Sequence, residues 1–148
     1  PLFGHFIAYF GERRALLIEY SGLVCVFLAY GGIYLFDWGV IFASILFVLD
    51  HLFFGLRMAL KTYFQKISAP EDIAPTAAVA FTINHIAAVF LPVLLGLLWL
   101  VSPAFVFMAA AFLAFLSLLL ALLVPRVPIV GHETLLMPKI YSKSENGE

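Results

Sequence analysis

The sequence predicts an all-α membrane protein that crosses the bilayer four times. Hydrophobic residues make up 64% of its 148 residues and charged residues only 11%, with a mean hydropathy of +1.09. A water-soluble domain carries about 25% charged residues, so this chain has too little polar surface to cover a globule in water. Its apolar segments do not alternate as barrel strands do, and a non-barrel backbone in lipid must be helical to satisfy its hydrogen bonds.

Four apolar segments each supply the roughly 20 residues that a helix needs to cross the hydrocarbon core. They predict a transmembrane region over residues 15–124, preceded by the end of another helix and a cytoplasmic loop (1–14) and followed by a cytoplasmic tail (125–148). The predicted spans are 15–32, 38–61, 77–101 and 103–124.

The segment 68–76 (SAPEDIAPT) separates the second and third spans and carries helix-start residues. Ser68 and Glu71 have capping-box spacing, and Pro70 and Pro75 favour the first turns of helices. We therefore expect a short helix along the membrane face here.

The basic residues predict the orientation. All eight Lys and Arg residues fall at one end of the spans, whereas the loops at the other end, 31–37 and 102–103, contain none. The positive-inside rule makes the basic end cytoplasmic. We expect a multi-pass protein of a bacterial inner membrane with a cytoplasmic C-terminus.

The fourth span has one polar side chain, Ser117, which predicts a peripheral helix facing lipid. Small residues nevertheless recur on one face of this span and of the first, as in tightly packed membrane helices. They are Ser21, Cys25, Ala29 and Gly32, then Ala110, Ala114, Ser117 and Ala121.

Polar residues inside the middle spans are candidates for a substrate or proton pathway, because an ionisable group at the bilayer centre costs about 2.5–3.5 kcal/mol. Asp50 and His51 could carry protons or bind substrate, and Arg57 could attract an anionic group. Counted along the helices from the loop that joins the second and third spans, His85 lies roughly level with Arg57. This predicts that Asn84 and His85 join Arg57 at the inner mouth of a cavity. The alternatives are a structural partner for Asp50 on another helix and simple interhelical hydrogen bonds.

Glu19 lies in the inner part of the first span, roughly level with Lys61 of the second. We predict a structural ion pair between them, with a proton-carrying Glu19 as the alternative. The four histidines are too scattered for a metal site, and no phosphate-binding loop or catalytic triad is visible. The sequence favours neither an enzyme nor a cofactor, metal or nucleic-acid binder.

Residues 4–14 read GHFIAYFGERR. This stretch resembles the loop signature G-x-x-x-D-R-x-G-R-R of the major facilitator superfamily. Gly4, Gly11 and Arg13 match in register, and Arg14 follows. Ala8 and Tyr9 replace the Asp-Arg step, and Glu12 replaces the first closing Arg, as in the weaker copy between helices eight and nine.

The resemblance implies helices nine to twelve of a twelve-helix secondary transporter. Its partners would be the remaining N-terminal helices, a small solute, a coupling proton or ion, and the lipid bilayer. The second span would line the central cavity and the third would face the other half. Two alternatives remain: a complete four-helix drug exporter that dimerises around a shared Glu19, and a membrane subunit without transport activity.

Overall fold

The computed structural model describes residues 2–129 and 133–136, and all its long elements are α-helices. The bounds are α1 Leu2–Phe10, α2 Glu12–Phe36, α3 Val40–Phe54, α4 Met58–Ile67, α5 Pro70–Val101 and α6 Pro103–Leu122, with a 3-10 turn at Gly55–Arg57 between α3 and α4. Most of the predicted tail, including Lys139 and Lys143, lies outside the described residues.

Four helical segments are long and apolar enough to cross a membrane. They are Glu12–Phe36, Val40–Ile67, Pro70–Val101 and Pro103–Leu122, and the second combines α3, the 3-10 turn and α4. The prediction of an all-helical chain with four such segments is confirmed. The first three of these helices are longer at their basic or acidic ends than the predicted spans 15–32, 38–61 and 77–101, because the polar residues there continue the helix.

The prediction of a separate short helix at 68–76 is wrong, because α5 already begins at Pro70. Proline is well suited to the first helical position, and Glu71 and Asp72 complement the positive end of the helix dipole. Ser68 does not form the expected capping box: the N-cap residue is Ala69, and no side chain caps this helix.

The most extensive helix contact joins α2 and α6. Small side chains on one face of α6 allow this close approach, while its large side chains such as Phe112 and Leu120 remain exposed. The small face of the fourth span is therefore packed and its opposite face is exposed, as expected of a peripheral helix, but apolar composition alone does not separate the two faces. The buried α6 residues are Ala104, Ala111, Ala114 and Ala121.

The third membrane helix, α5, stands largely apart from α3 and α4. It packs against α6, and its Trp99 ring meets Tyr34 of α2 edge to face with ring centroids 5.9 Å apart. None of the α5 residues is buried. Most of its surface is thus left without a protein neighbour in the described part of the chain.

Candidate functional site

Asp50 and His51 lie on an open surface of α3. The Nδ1 atom of His51 is 3.7 Å from Oδ2 of Asp50 and 3.0 Å from the carbonyl oxygen of Phe47. Their side chains are 62% exposed for His51 and 32% exposed for Asp50. The pair can therefore reach a ligand, water or another helix without rearrangement of α3.

Arg57 closes the 3-10 turn that interrupts the second membrane segment. Its guanidinium carbon lies 5.6 Å from the centre of the Phe54 ring, a cation–π contact. The neighbouring Leu56 points inward and is buried, whereas Arg57 is exposed. Leu56 thus packs the turn against the protein interior, and Arg57 places a positive charge at the surface.

Asn84 and His85 are exposed on α5. The Nδ1 atom of His85 is 3.3 Å from the carbonyl oxygen of Phe81, and the two rings stack at a tilt with centroids 4.1 Å apart. The predicted cluster with Arg57 is not formed, because α5 packs against α6 rather than against the 3-10 turn. Counting residues from the shared loop predicts how deep these residues lie along their helices, but it does not predict which neighbouring helix α5 packs against.

The predicted Glu19–Lys61 ion pair is also absent, although both residues are described. The cation whose charge acts on the Glu19 carboxyl is Arg57, while Lys61 is exposed. A 3-10 turn advances about 120° per residue and an α-helix about 100°. Three residues of 3-10 turn therefore rotate α4 by about 60° from its predicted register.

An ion pair that sequence analysis missed joins Glu12, at the start of α2, to Lys66, near the end of α4. The lysine Nζ lies 2.6 Å from Oε1 of Glu12, whose side chain is only 5% exposed. The signal available in the sequence was an acidic residue in the first helical turn, at the same membrane face as the basic residues that close the second span.

Two other residues of the segment 4–14, Gly11 and Arg13, stabilise the way the helices connect and pack. Gly11 separates α1 from α2 with a φ of +81° and a ψ of 157°, a conformation that is almost exclusive to glycine. Arg13 donates a hydrogen bond of 3.3 Å to the carbonyl oxygen of Leu122 at the end of α6. Gly4 and Arg14 are exposed. This loop therefore connects the ends of α2, α4 and α6.

An open apolar groove of about 610 Å³ runs between α2 and α3. The small side chains of Ser21, Cys25 and Ala29 form one wall, and Leu46 and Phe53 contribute to the other. The predicted small face of the first span thus lines a groove, and only its last member, Gly32, is buried.

The described residues contain no group of three or more His, Cys, Asp or Glu side chains that could hold a metal ion. The polar positions instead divide into an exposed set on α3 and α5 and a buried set near the start of α2. No protein family model, curated protein or solved structure matches the chain.

Proposed function

We propose that this chain belongs to a secondary active transporter of the major facilitator type and supplies its helices nine to twelve. The transporter moves a small solute by alternating access, coupled to a proton or another ion. In this proposal the basic end of the helices is cytoplasmic, and the protein resides in a bacterial inner membrane.

The observation that supports the proposal is the exposure of polar groups on helices long enough to span a membrane. Asp50 and His51 on α3, and Asn84 and His85 on α5, are all partly or fully exposed. An ionisable group that faced lipid at this depth would cost about 2.5–3.5 kcal/mol. These faces must therefore meet further protein or a water-filled pathway, as in the cavity of a transporter.

A dimeric four-helix exporter would need Glu19 at the interface between two copies. Glu19 is only 3% exposed, and its side chain is enclosed by the chain's own helices. This burial favours the larger transporter over the dimer.

Cysteine accessibility tests the proposal. In a Cys25→Ser background, Asp50→Cys and His85→Cys should react with a membrane-impermeant charged maleimide added to either side of sealed vesicles. Phe90→Cys is the matched control: Phe90 is 62% exposed and lies about 140° around α5 from His85. It should react only with a lipid-soluble maleimide.

A non-transporting subunit would instead bury both polar faces against protein. Reactivity of Asp50→Cys and His85→Cys from neither side of the membrane, or from one side only, would contradict alternating access. Reactivity of Phe90→Cys equal to that of His85→Cys would show that the polar face of α5 is not the one lining an aqueous pathway.

A further inference from the structure

Glu19 places an ionisable carboxyl inside the helix bundle, about 10 Å along α2 from Glu12. The residue is 3% exposed, and its Oε2 atom has no hydrogen-bond partner among the described residues. One turn earlier, Ala15 and Leu16 are almost completely buried at 0% and 1% exposure. The carboxyl therefore lies in mostly apolar surroundings.

The basic residues near this carboxyl do not form an ion pair with it. Lys66 is bound to Glu12, and Arg13 donates its hydrogen bond to the end of α6. Lys61 is exposed on the rotated face of α4. Arg57 acts on Glu19 through its charge without making an ion-pair contact.

Among the described residues, the remaining titratable groups on the packed elements make no ion pair with Glu19. On α3, Asp50 and His51 pair with each other, and their side chains are 32% and 62% exposed. Tyr20, adjacent on α2, interacts electrostatically with both Glu19 and Arg57. On α4, the Tyr63 hydroxyl donates a hydrogen bond of 2.6 Å to the carbonyl oxygen of Glu133. The α6 sequence Pro103–Leu122 contains no ionisable side chain, and the described ionisable side chain of α1, Tyr9, is 84% exposed.

A carboxylate buried without a contacting cation or a full set of hydrogen bonds is strongly disfavoured, and such a group takes up a proton instead. We propose that Glu19 is a proton-binding site and that the position of Arg57 controls release of the proton. Proton binding requires only the geometry around Glu19; its assignment as the coupling ion rests on the transport function proposed above.

In this proposal the 3-10 turn at Gly55–Arg57 is the moving part. It contacts α2, and a 3-10 stretch inside a longer helix often marks a hinge. When Arg57 approaches the carboxyl, its positive charge favours the carboxylate, and the proton leaves Glu19 for water. When Arg57 withdraws, apolar surroundings favour the neutral acid, and a proton is taken up.

Labelling with dicyclohexylcarbodiimide in membrane vesicles tests this site. The reagent is apolar, and a protonated carboxyl adds across one of its C=N bonds, the oxygen bonding to carbon and the proton passing to nitrogen. Mass spectrometry should find the adduct on Glu19 at neutral pH and its loss at alkaline pH. Glu12, whose Oε1 is bound by Lys66, should stay unlabelled and serves as an internal control.

Two variants test the role of the arginine. Arg57→Gln should keep Glu19 labelled to a higher pH than in the wild type, because the charge that favours the carboxylate is gone. Arg57→Lys, which retains the charge and a similar fold, should follow the wild-type pH dependence. Lys61→Gln is the matched control and should also leave the profile unchanged.

Three results would overturn the inference: no adduct on Glu19 at any pH, labelling independent of pH, or equal shifts for Arg57→Gln and Lys61→Gln. The outcome does not depend on the transport proposal. If Glu19 is labelled but the Asp50→Cys and His85→Cys variants do not react with the maleimide, the proton-binding site stands and the transport proposal fails.

Discussion

Replacing Lys66 with methionine should destabilise the protein more than replacing Glu12 with glutamine. The two side chains form one ion pair of 2.6 Å, but Lys66 is 54% exposed and Glu12 only 5%. Loss of the lysine leaves a buried carboxylate without its cation. Loss of the carboxylate charge leaves a lysine that can turn to solvent.

The exposure of the two partners sets the magnitude. Removing one partner of a fully buried pair costs about 3–5 kcal/mol, whereas exposed pairs contribute about 0.2–1 kcal/mol. With one partner buried and the other half exposed, Lys66→Met should cost about 2 kcal/mol, roughly a 30-fold change in the unfolding equilibrium. Glu12→Gln should cost about 1 kcal/mol, part of it from the lost interaction with the helix N-terminus.

Reversible denaturant unfolding in detergent micelles, followed by circular dichroism, measures both values. Lys61→Met is the matched control, because Lys61 lies on the same helix without an ion pair to either buried glutamate. The double variant completes a thermodynamic cycle. A cost for Lys66→Met no larger than that for Lys61→Met, or a coupling energy under about 0.5 kcal/mol, would refute the assigned contribution.

Three further changes can be followed by the same unfolding measurement. Gly11→Ala should cost about 1–3 kcal/mol, because its positive φ lies in a region that side chains rarely adopt; a neutral result would mean that the α1–α2 junction relaxes. Gly22→Ala should cost about 1 kcal/mol, because its new methyl group would displace the Phe53 ring while alanine gains about 1 kcal/mol over glycine inside a helix, and Gly22→Ala combined with Phe53→Leu should recover the loss. Tyr63→Phe removes the hydrogen bond to the carbonyl oxygen of Glu133 and should cost about 1 kcal/mol; unchanged amide exchange in the segment after α6 would contradict that contact.

The membrane helices could be predicted from the sequence because length and apolarity are properties of single segments. Their ends were harder to predict. The polar residues after Ser68 read as a loop, yet Pro70 at the first position and acidic residues in the first turn favour a helix start there. Apolar composition predicts which part of a segment lies in lipid. The residue at which the helix begins depends instead on capping and on charges near the helix N-terminus.

The contacts of α6 illustrate a second limit. In lipid, apolar side chains suit both the packed and the exposed face, so hydrophobicity does not rank them. Small residues supplied the better signal: Ala114 and Ala121 of the predicted small face are buried against the rest of the bundle. The small-residue pattern, and not the apolar composition, located the packed face of the fourth span.

For the candidate site, the sequence identified polar positions within the membrane helices but not how the structure arranges them. Asp50 and His51 are neighbours in sequence and stay together in the fold. The Glu19–Lys61 and Arg57–His85 associations depended on the register of separate helices, and the 3-10 turn and the position of α5 changed both. For the Glu12–Lys66 pair, the sequence indicated that both residues lie at the same end of the spans, but only the packing of α2 against α4 shows that they pair.

The length of α5 has a mechanical consequence. Its 32 residues make a rod of about 48 Å, some 18 Å longer than the roughly 30 Å hydrocarbon layer. Because α5 is joined to α6 through the single residue Ser102, that junction can serve as a pivot. A straight helix of this length that swings by about 10° moves its far end by about 8 Å, and Pro75 and Pro92 inside α5 are further points at which the helix can bend. A small rotation near Ser102 would thus become a displacement of several ångströms at Pro70.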